Sequence, residues 1–181
     1  MKTRNIILKI SLISIFSALI FIFTSFISIP YGGGMGYFNA SDGLIMFATA
    51  FLGPIVGTFS GIIGCSLGDL FSGYAICIPF TICAKTIESI VFFLLFDYLY
   101  AKKYLKYISY FIAPLFMVLS YIPYYLIYDD GKGVLALVNS CFDLIQGVIG
   151  GIIGITIYQL LNKVNLPTYY IKETIFNKKN K

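Results

Sequence analysis

The sequence predicts an all-α integral membrane protein, a six-transmembrane-helix bundle with both termini in the cytoplasm, and three observations predict it. Of 181 residues, 59% are hydrophobic and 12% charged, with a mean hydropathy of +0.88; a soluble domain is about half apolar and about a quarter charged. The apolar residues gather into six runs joined by short connectors, most of them close to the ~20 residues that cross a bilayer. The basic residues cluster on one side of the topology those runs define, the pattern of a positive-inside signal.

Residues 6–29 form the first run, preceded by Lys2 and Arg4 with Lys9 near its start. It is too long for a signal-peptide core and lacks a small-residue cleavage site, so a retained helix is expected. A glycine-rich connector, 30–36, leads to a second run at 40–52, which is short for a crossing and calls for tilt, shelter by neighbours or extension into the connector. Gly53-Pro54 is a tight turn. Further helices are expected at 55–71, 79–100, 108–128 and 134–161. Six crossings put Lys2, Arg4, Lys9, Lys102, Lys103, Lys106, Lys163, Lys172, Lys178, Lys179 and Lys181 on one side and Lys132 opposite. Both termini are therefore expected in the cytoplasm and Asp129-Asp130 outside. The transmembrane domain is expected over 1–164 and a basic cytoplasmic tail over 165–181, solvated or touching lipid headgroups.

Several function classes are excluded at this point. No room is expected for a soluble catalytic or nucleotide-binding domain, and no G-x-x-x-x-G-K-[ST] phosphate loop occurs, so energy must come from another protein. The net charge of +5 flanks apolar runs, which reads as topology and not as nucleic-acid binding. With no histidine, His-type zinc sites and His acid–base chemistry fall away, and neither metal nor cofactor is expected. Cys65, Cys77, Cys83 and Cys141 have no C-x-x-C spacing and read as packing residues.

The informative residues are polar ones inside the apolar runs. Lys85 and Glu88 sit one helical turn apart, roughly 9 Å and roughly 14 Å below Pro79 at 1.5 Å per residue. Ionisable side chains at such depth are costly unless paired or solvated, and they mark functional sites. Asp69 lies near the outer end of the third helix and Asp42 near the outer start of the second. Asn139, Asp143 and Gln146 share one face of the sixth. These groups fall in the outer half, so a pocket open to one side is expected, with walls from Tyr31, Tyr37, Phe38, Tyr74 and Phe80; a pore would need polar lining in both halves. Two blander readings remain open: an interfacial belt for the aromatics, and a structural ion pair for Lys85 with Glu88.

Gly53, Gly57, Gly61, Gly64 and Gly68 on the third helix, and Gly147/Gly151 with Gly150/Gly154 on the sixth, form small-residue faces suited to close helix packing. Ser14 and Ala18 make another small pair in the cytoplasmic half of the first helix, where a partner's helix could dock.

Asn39-Ala40-Ser41-Asp42-Gly43, Leu52-Gly53-Pro54-Ile55-Val56-Gly57, Gly68-Asp69-Leu70-Phe71-Ser72-Gly73-Tyr74, Pro79-Phe80-Thr81 and Lys85-Thr86-Ile87-Glu88 together resemble the substrate-binding S component of energy-coupling factor (ECF) vitamin transporters. The closest likeness is to the riboflavin-transporter-like branch, which includes pyridoxine and hydroxymethylpyrimidine binders. The resemblance implies a non-enzymatic membrane subunit that captures a vitamin from outside and topples when coupled to a transmembrane scaffold protein and two cytoplasmic ATPases. It implies ligand contacts from Asn39, Asp42, Tyr74, Lys85, Glu88, Asn139 and Asp143, to which the depth argument adds Asp69. The family's first-helix A-x-x-x-A scaffold contact maps onto Ser14 and Ala18, with serine in place of one alanine. Carboxylates, one lysine and aromatics suit a small polar heteroaromatic ring, ranking pyridoxine or hydroxymethylpyrimidine above riboflavin. The alternatives are a stand-alone proton-coupled secondary transporter, for which no internal repeat is visible, and an intramembrane enzyme, for which no activated nucleophile is visible.

Overall fold

The computed structural model describes residues 2–31, 36–102, 104–128 and 133–163. The tail 165–181, Lys103, the 129–132 connector with Asp129, Asp130 and Lys132, and the side chain of Tyr31 lie outside the described residues. The elements run α1 (Lys2–Phe26), β1 (Ser28–Tyr31), β2 (Gly36–Asn39), α2 (Ser41–Leu52), α3 (Pro54–Phe71), α4 (Ile78–Tyr98), α5 (Ser109–Tyr128) and α6 (Gly133–Lys163). Short 3-10 turns, Ala75–Cys77 and Leu105–Ile108, lead into α4 and α5.

The first helix ends three residues before the sequence expectation, and the connector contains an antiparallel hairpin with Ile29 opposite Phe38. Pro30 explains both: it disfavours helical backbone at Ile29 and steers the chain into extended conformation. Among the described residues the bundle is thus all-α apart from this two-stranded hairpin.

Among the described residues, five helices are long and apolar enough to cross a membrane; α2, with twelve residues, is not. Every α2 residue except Phe51 is buried, so α2 is the central helix of the bundle. Contacts set the helix directions. On α1 and α3 they rise together, Ser60 reaching Ile13, Gly64 meeting Ile20 and Gly68 meeting Thr24, so these helices are parallel. On α5 and α6 they run oppositely, with Tyr110 against Gly154, Pro114 against Gly147 and Tyr125 against Asp143. The hairpin, the start of α2 and the end of α3 therefore share one end of the bundle.

In lipid, van der Waals packing replaces the hydrophobic drive, so small residues decide which helices approach. A Cβ on Gly57 would fall 2.7 Å from the Thr49 Cα, and one on Gly64 2.6 Å from Ile20 Cγ2. On α6 the two glycine pairs separate by face: Gly147 and Gly151 admit Pro114 and the Tyr110 carbonyl, while Gly150 and Gly154 admit Asp42 and the Gly43 carbonyl. Gly53, at φ 99°, supplies the left-handed turn that lets Pro54 open α3.

Away from the hairpin, Met46, Phe47, Phe92, Phe96, Tyr110 and Tyr158 pack into an aromatic plug. Lys106 lies 5.0, 5.4 and 5.2 Å over the rings of Tyr100, Tyr107 and Tyr158 at that end. Large apolar side chains such as Phe26, Ile55, Leu119 and Ile152 are exposed on the outer faces, as a lipid-facing surface requires.

Candidate functional site

Asp42, Asp69, Lys85, Glu88 and Asp143 converge on the hairpin end. Lys85 donates to Asp42 of α2, to Glu88 Oε2 of its own helix at 3.1 Å, and to the Met117 Sδ of α5 at 2.8 Å. An ammonium has three donors, and all three are engaged, tying α2, α4 and α5 together. Gln146 of α6 adds a fourth element: its Nε2 donates to Asp42 at 2.8 Å, while its Oε1 accepts the Asn39 N–H at 3.0 Å. The Asn39 Oδ1 accepts the Ser41 N–H at 2.9 Å, an Asx turn that starts α2 and fixes where Asp42 projects. This works because Gly150 lets α6 lie against Asp42.

Above this cluster lies a cavity of about 50 Å³. Asn39, Asp69, Tyr74, Lys85 and Asp143 line it, together with Tyr37, Cys65, Cys77, Thr81, Tyr121, Tyr124, Tyr125 and Gln146. Two carboxyl groups face it from opposite helices. Asp69 accepts the Tyr37 hydroxyl on Oδ1 and the Thr81 hydroxyl, at 2.6 Å, on Oδ2. Thr81 in turn accepts from the Tyr121 hydroxyl at 3.0 Å. Asp143 Oδ2 accepts the Tyr125 hydroxyl at 2.7 Å. Gly73, at φ 85°, ends α3 and folds the chain back so that the Tyr74 N–H meets the Asp69 carbonyl at 2.7 Å, and the Tyr74 ring rests 5.3 Å from that of Tyr37. Burial, reinforced by the charge of Asp69 and the hydrogen bond to it, holds the Tyr37 phenol above its usual range, so it remains a donor.

Of the residues singled out from sequence, Asn39, Asp69, Tyr74, Lys85 and Asp143 meet at the cavity wall. Asp42 and Glu88 are fully buried behind Lys85 and reach the cavity through it. Asn139 is fully buried on α6 and is not a wall residue. Among the expected aromatic walls Tyr37 and Tyr74 line the cavity, whereas Phe80 packs against Tyr124 and Tyr128. Sequence reasoning passed over the α5 contribution; Tyr121, Tyr124 and Tyr125, with Tyr128 beyond, carry the 0, 3, 4, 7 spacing of one helix face, which is a readable signal. Cys65 and Cys77 also line the cavity, the former within 3.6 Å of Ser41 Oγ.

Far from the cavity, Ser14 and Ala18 are exposed on α1. With Ile13, Ser17, Phe21, Ile63 and Leu67 they border a groove of about 350 Å³ between α1 and α3.

A curated protein from Pyrococcus woesei, described as an uncharacterized protein in a gap 3′ region, is 32% identical over 143 residues, covering 77% of this chain and 92% of that one. No solved structure matches the chain significantly. Residues 4–163 match the model of the ECF-type riboflavin transporter S component. That match spans the hairpin, all the cavity residues and nearly every described helix, and it places the chain among transport subunits that bind substrate and catalyse no reaction. The chain belongs to the ECF-type riboflavin transporter S-component family, the membrane-embedded substrate-binding subunits of vitamin uptake.

Proposed function

We propose that the cavity between the hairpin, α3, α4, α5 and α6 captures a water-soluble B-vitamin or vitamin precursor from outside a prokaryotic cell. A pyridoxine- or hydroxymethylpyrimidine-like ring fits the polar walls better than riboflavin, whose larger ring system wants a wider apolar slot. Both termini then lie in the cytoplasm, and a transmembrane scaffold protein with two cytoplasmic ATPases drives release. Asn39, Asp69, Tyr74, Lys85 and Asp143 contact the ligand directly, with Asp42, Glu88 and Asn139 supporting them. Ser14 and Ala18 meet the scaffold.

The observation that carries this reading is the one-ended polarity of the bundle: acids, amides and tyrosines enclose a cavity at the hairpin end, and the aromatic plug closes the way beyond it. At about 50 Å³ the cavity holds a water or two, so a vitamin ring enters only when the tyrosine walls turn aside. Five of the 15 tyrosines line the cavity and the chain has no tryptophan, so tyrosine emission reports binding directly. Purified chain in detergent, titrated with pyridoxine, hydroxymethylpyrimidine and riboflavin without ATP, should bind at least one at micromolar or tighter affinity. Failure of all three would count against vitamin capture.

A further inference from the structure

Asp42, behind the cavity wall, gathers donors from neighbouring elements. Lys85 of α4 meets its Oδ1, Gln146 of α6 meets its Oδ2 at 2.8 Å, and the Gln146 Oε1 accepts the N–H of Asn39 at 3.0 Å. Lys85, Gln146 and Asn39 all line the cavity. A primary amide has two hydrogens, so Gln146 keeps one beyond its bond to Asp42. The Asn39 Oδ1 is turned to the Ser41 N–H, and its Nδ2 has no acceptor among the described residues. The Asp42 side of the cavity is thus a donor surface. Asp69 of α3 accepts from Tyr37 and Thr81, while the wall hydroxyls of Tyr74 and Tyr124 are of a kind that donates or accepts and so set no polarity.

The weakest bond on this surface is the third one of Lys85. Two of its hydrogens meet carboxyl groups, whereas the third meets the Met117 Sδ at 2.8 Å, and a thioether is a weak acceptor. Met117 is fully buried and packs with Ala84 and Tyr121; it stands one turn from Tyr121 on the same face of α5, next to a wall residue without being one. Sulfur is an intermediate choice at this place. A hydrocarbon would leave a buried ammonium hydrogen unmet, and an oxygen would hold it at full strength. We infer that Met117 is a positioning residue that keeps the third Lys85 hydrogen exchangeable, and that an acceptor oxygen or ring nitrogen of the ligand takes the place of its sulfur. This rests on the vitamin-capture reading and deepens it: the ligand turns an acceptor edge toward Lys85, Gln146 and Asn39. The bonds from Lys85 to Asp42 and Glu88 stay in place, because a neutral acceptor competes with a thioether and not with a carboxylate.

Substitutions on either side of sulfur in acceptor strength test this. The full chain in detergent, as wild type, Met117→Leu and Met117→Gln, is titrated with pyridoxine, hydroxymethylpyrimidine and riboflavin, all of which carry oxygen or ring-nitrogen acceptors, and affinity is read by calorimetry. Met117→Leu conserves volume and removes the acceptor. It should tighten binding of whichever compound the wild type holds by at least about threefold, because the ligand then meets an unmatched donor. Met117→Gln, whose amide oxygen competes for Lys85, should weaken that binding by at least about tenfold. A packing role alone would move both variants the same way, so opposite signs are the signature. Unchanged or weaker binding in Met117→Leu would overturn the inference, as would unchanged or tighter binding in Met117→Gln; the leucine variant decides the matter even where the glutamine variant does not fold. If the wild type binds one of the compounds and the variants do not diverge, the role of Met117 fails and vitamin capture stands. If the wild type binds none of the three, both fall.

Discussion

Lys85 of α4 donates to Asp42 of α2 across 43 positions of sequence, and the same ammonium holds Glu88 one turn along its own helix. One cation thus serves two fully buried carboxyl groups, and the Glu88 Oε1 has no hydrogen-bond partner among the described residues. Removing the cation strands both acids, whereas neutralising Asp42 leaves the Lys85–Glu88 pair in place. Lys85→Met should therefore lower stability by about 3–5 kcal/mol and Asp42→Asn by clearly less. Thermal unfolding in detergent measures both, and equal losses would contradict the shared-cation arrangement.

Gly150 governs the contact that places Gln146 on Asp42 and Asn39. A Cβ there would sit 2.9 Å from the Asp42 Cβ and 3.1 Å from the Gly43 nitrogen, while Gly133 faces open space. Gly150→Val should cost about 1–3 kcal/mol through overpacking and weaken ligand binding as well. Gly133→Ala should leave binding unchanged. Titration of the two variants side by side checks this, and retained binding in Gly150→Val would show that the α2–α6 approach does not shape the site.

Tyr37 yields a pH prediction. Its phenol titrates above the usual value because it is buried and hydrogen-bonded to Asp69. A phenol raised in the folded state contributes stability that is fully present below its unfolded pKa of about 10 and is lost as pH rises above it. Melting temperature followed from pH 8 to pH 11 should fall more steeply in the wild type than in Tyr37→Phe above about pH 10. Parallel curves would mean that the Tyr37–Asp69 bond carries no linkage.

These arrangements were unevenly legible in the sequence. Lys85 and Glu88 declare themselves because charge in an apolar helix is conspicuous and their spacing of three fixes a shared face. That Asp42, not Glu88 alone, answers Lys85 depends on how α2 packs on α4, which no local pattern encodes. The same holds for Glu88 lying behind Lys85 and away from the cavity wall. The shortness of α2 was visible, and its reason, near-complete burial among neighbours, emerges only from the packed bundle. The hairpin was hidden by reading 30–36 as connector alone, although Pro30 already argued against helix at Ile29. The α5 tyrosines were periodic enough to find and were overlooked because tyrosine near a helix end reads equally well as an interfacial belt.

The α1 groove makes a separable prediction. Ala18 is exposed on α1, borders the groove with Ser14 and Ser17, and is not among the residues that line the cavity. Ala18→Phe should leave ligand affinity in detergent within about twofold and abolish uptake in cells that supply the scaffold and ATPases. Uptake at the wild-type rate would remove Ser14 and Ala18 from the coupling face.

The central claim is that the hairpin-end cavity holds a small vitamin-like molecule, and mass spectrometry of whatever leaves the purified, denatured chain tests it most directly. The wild type should release a water-soluble heteroaromatic compound in near-stoichiometric amount, and Asp143→Ala, still folded, should release far less. A wild-type preparation that binds and releases no such compound after exposure to a vitamin mixture, or an Asp143→Ala variant that retains the same compound in full, would contradict the claim.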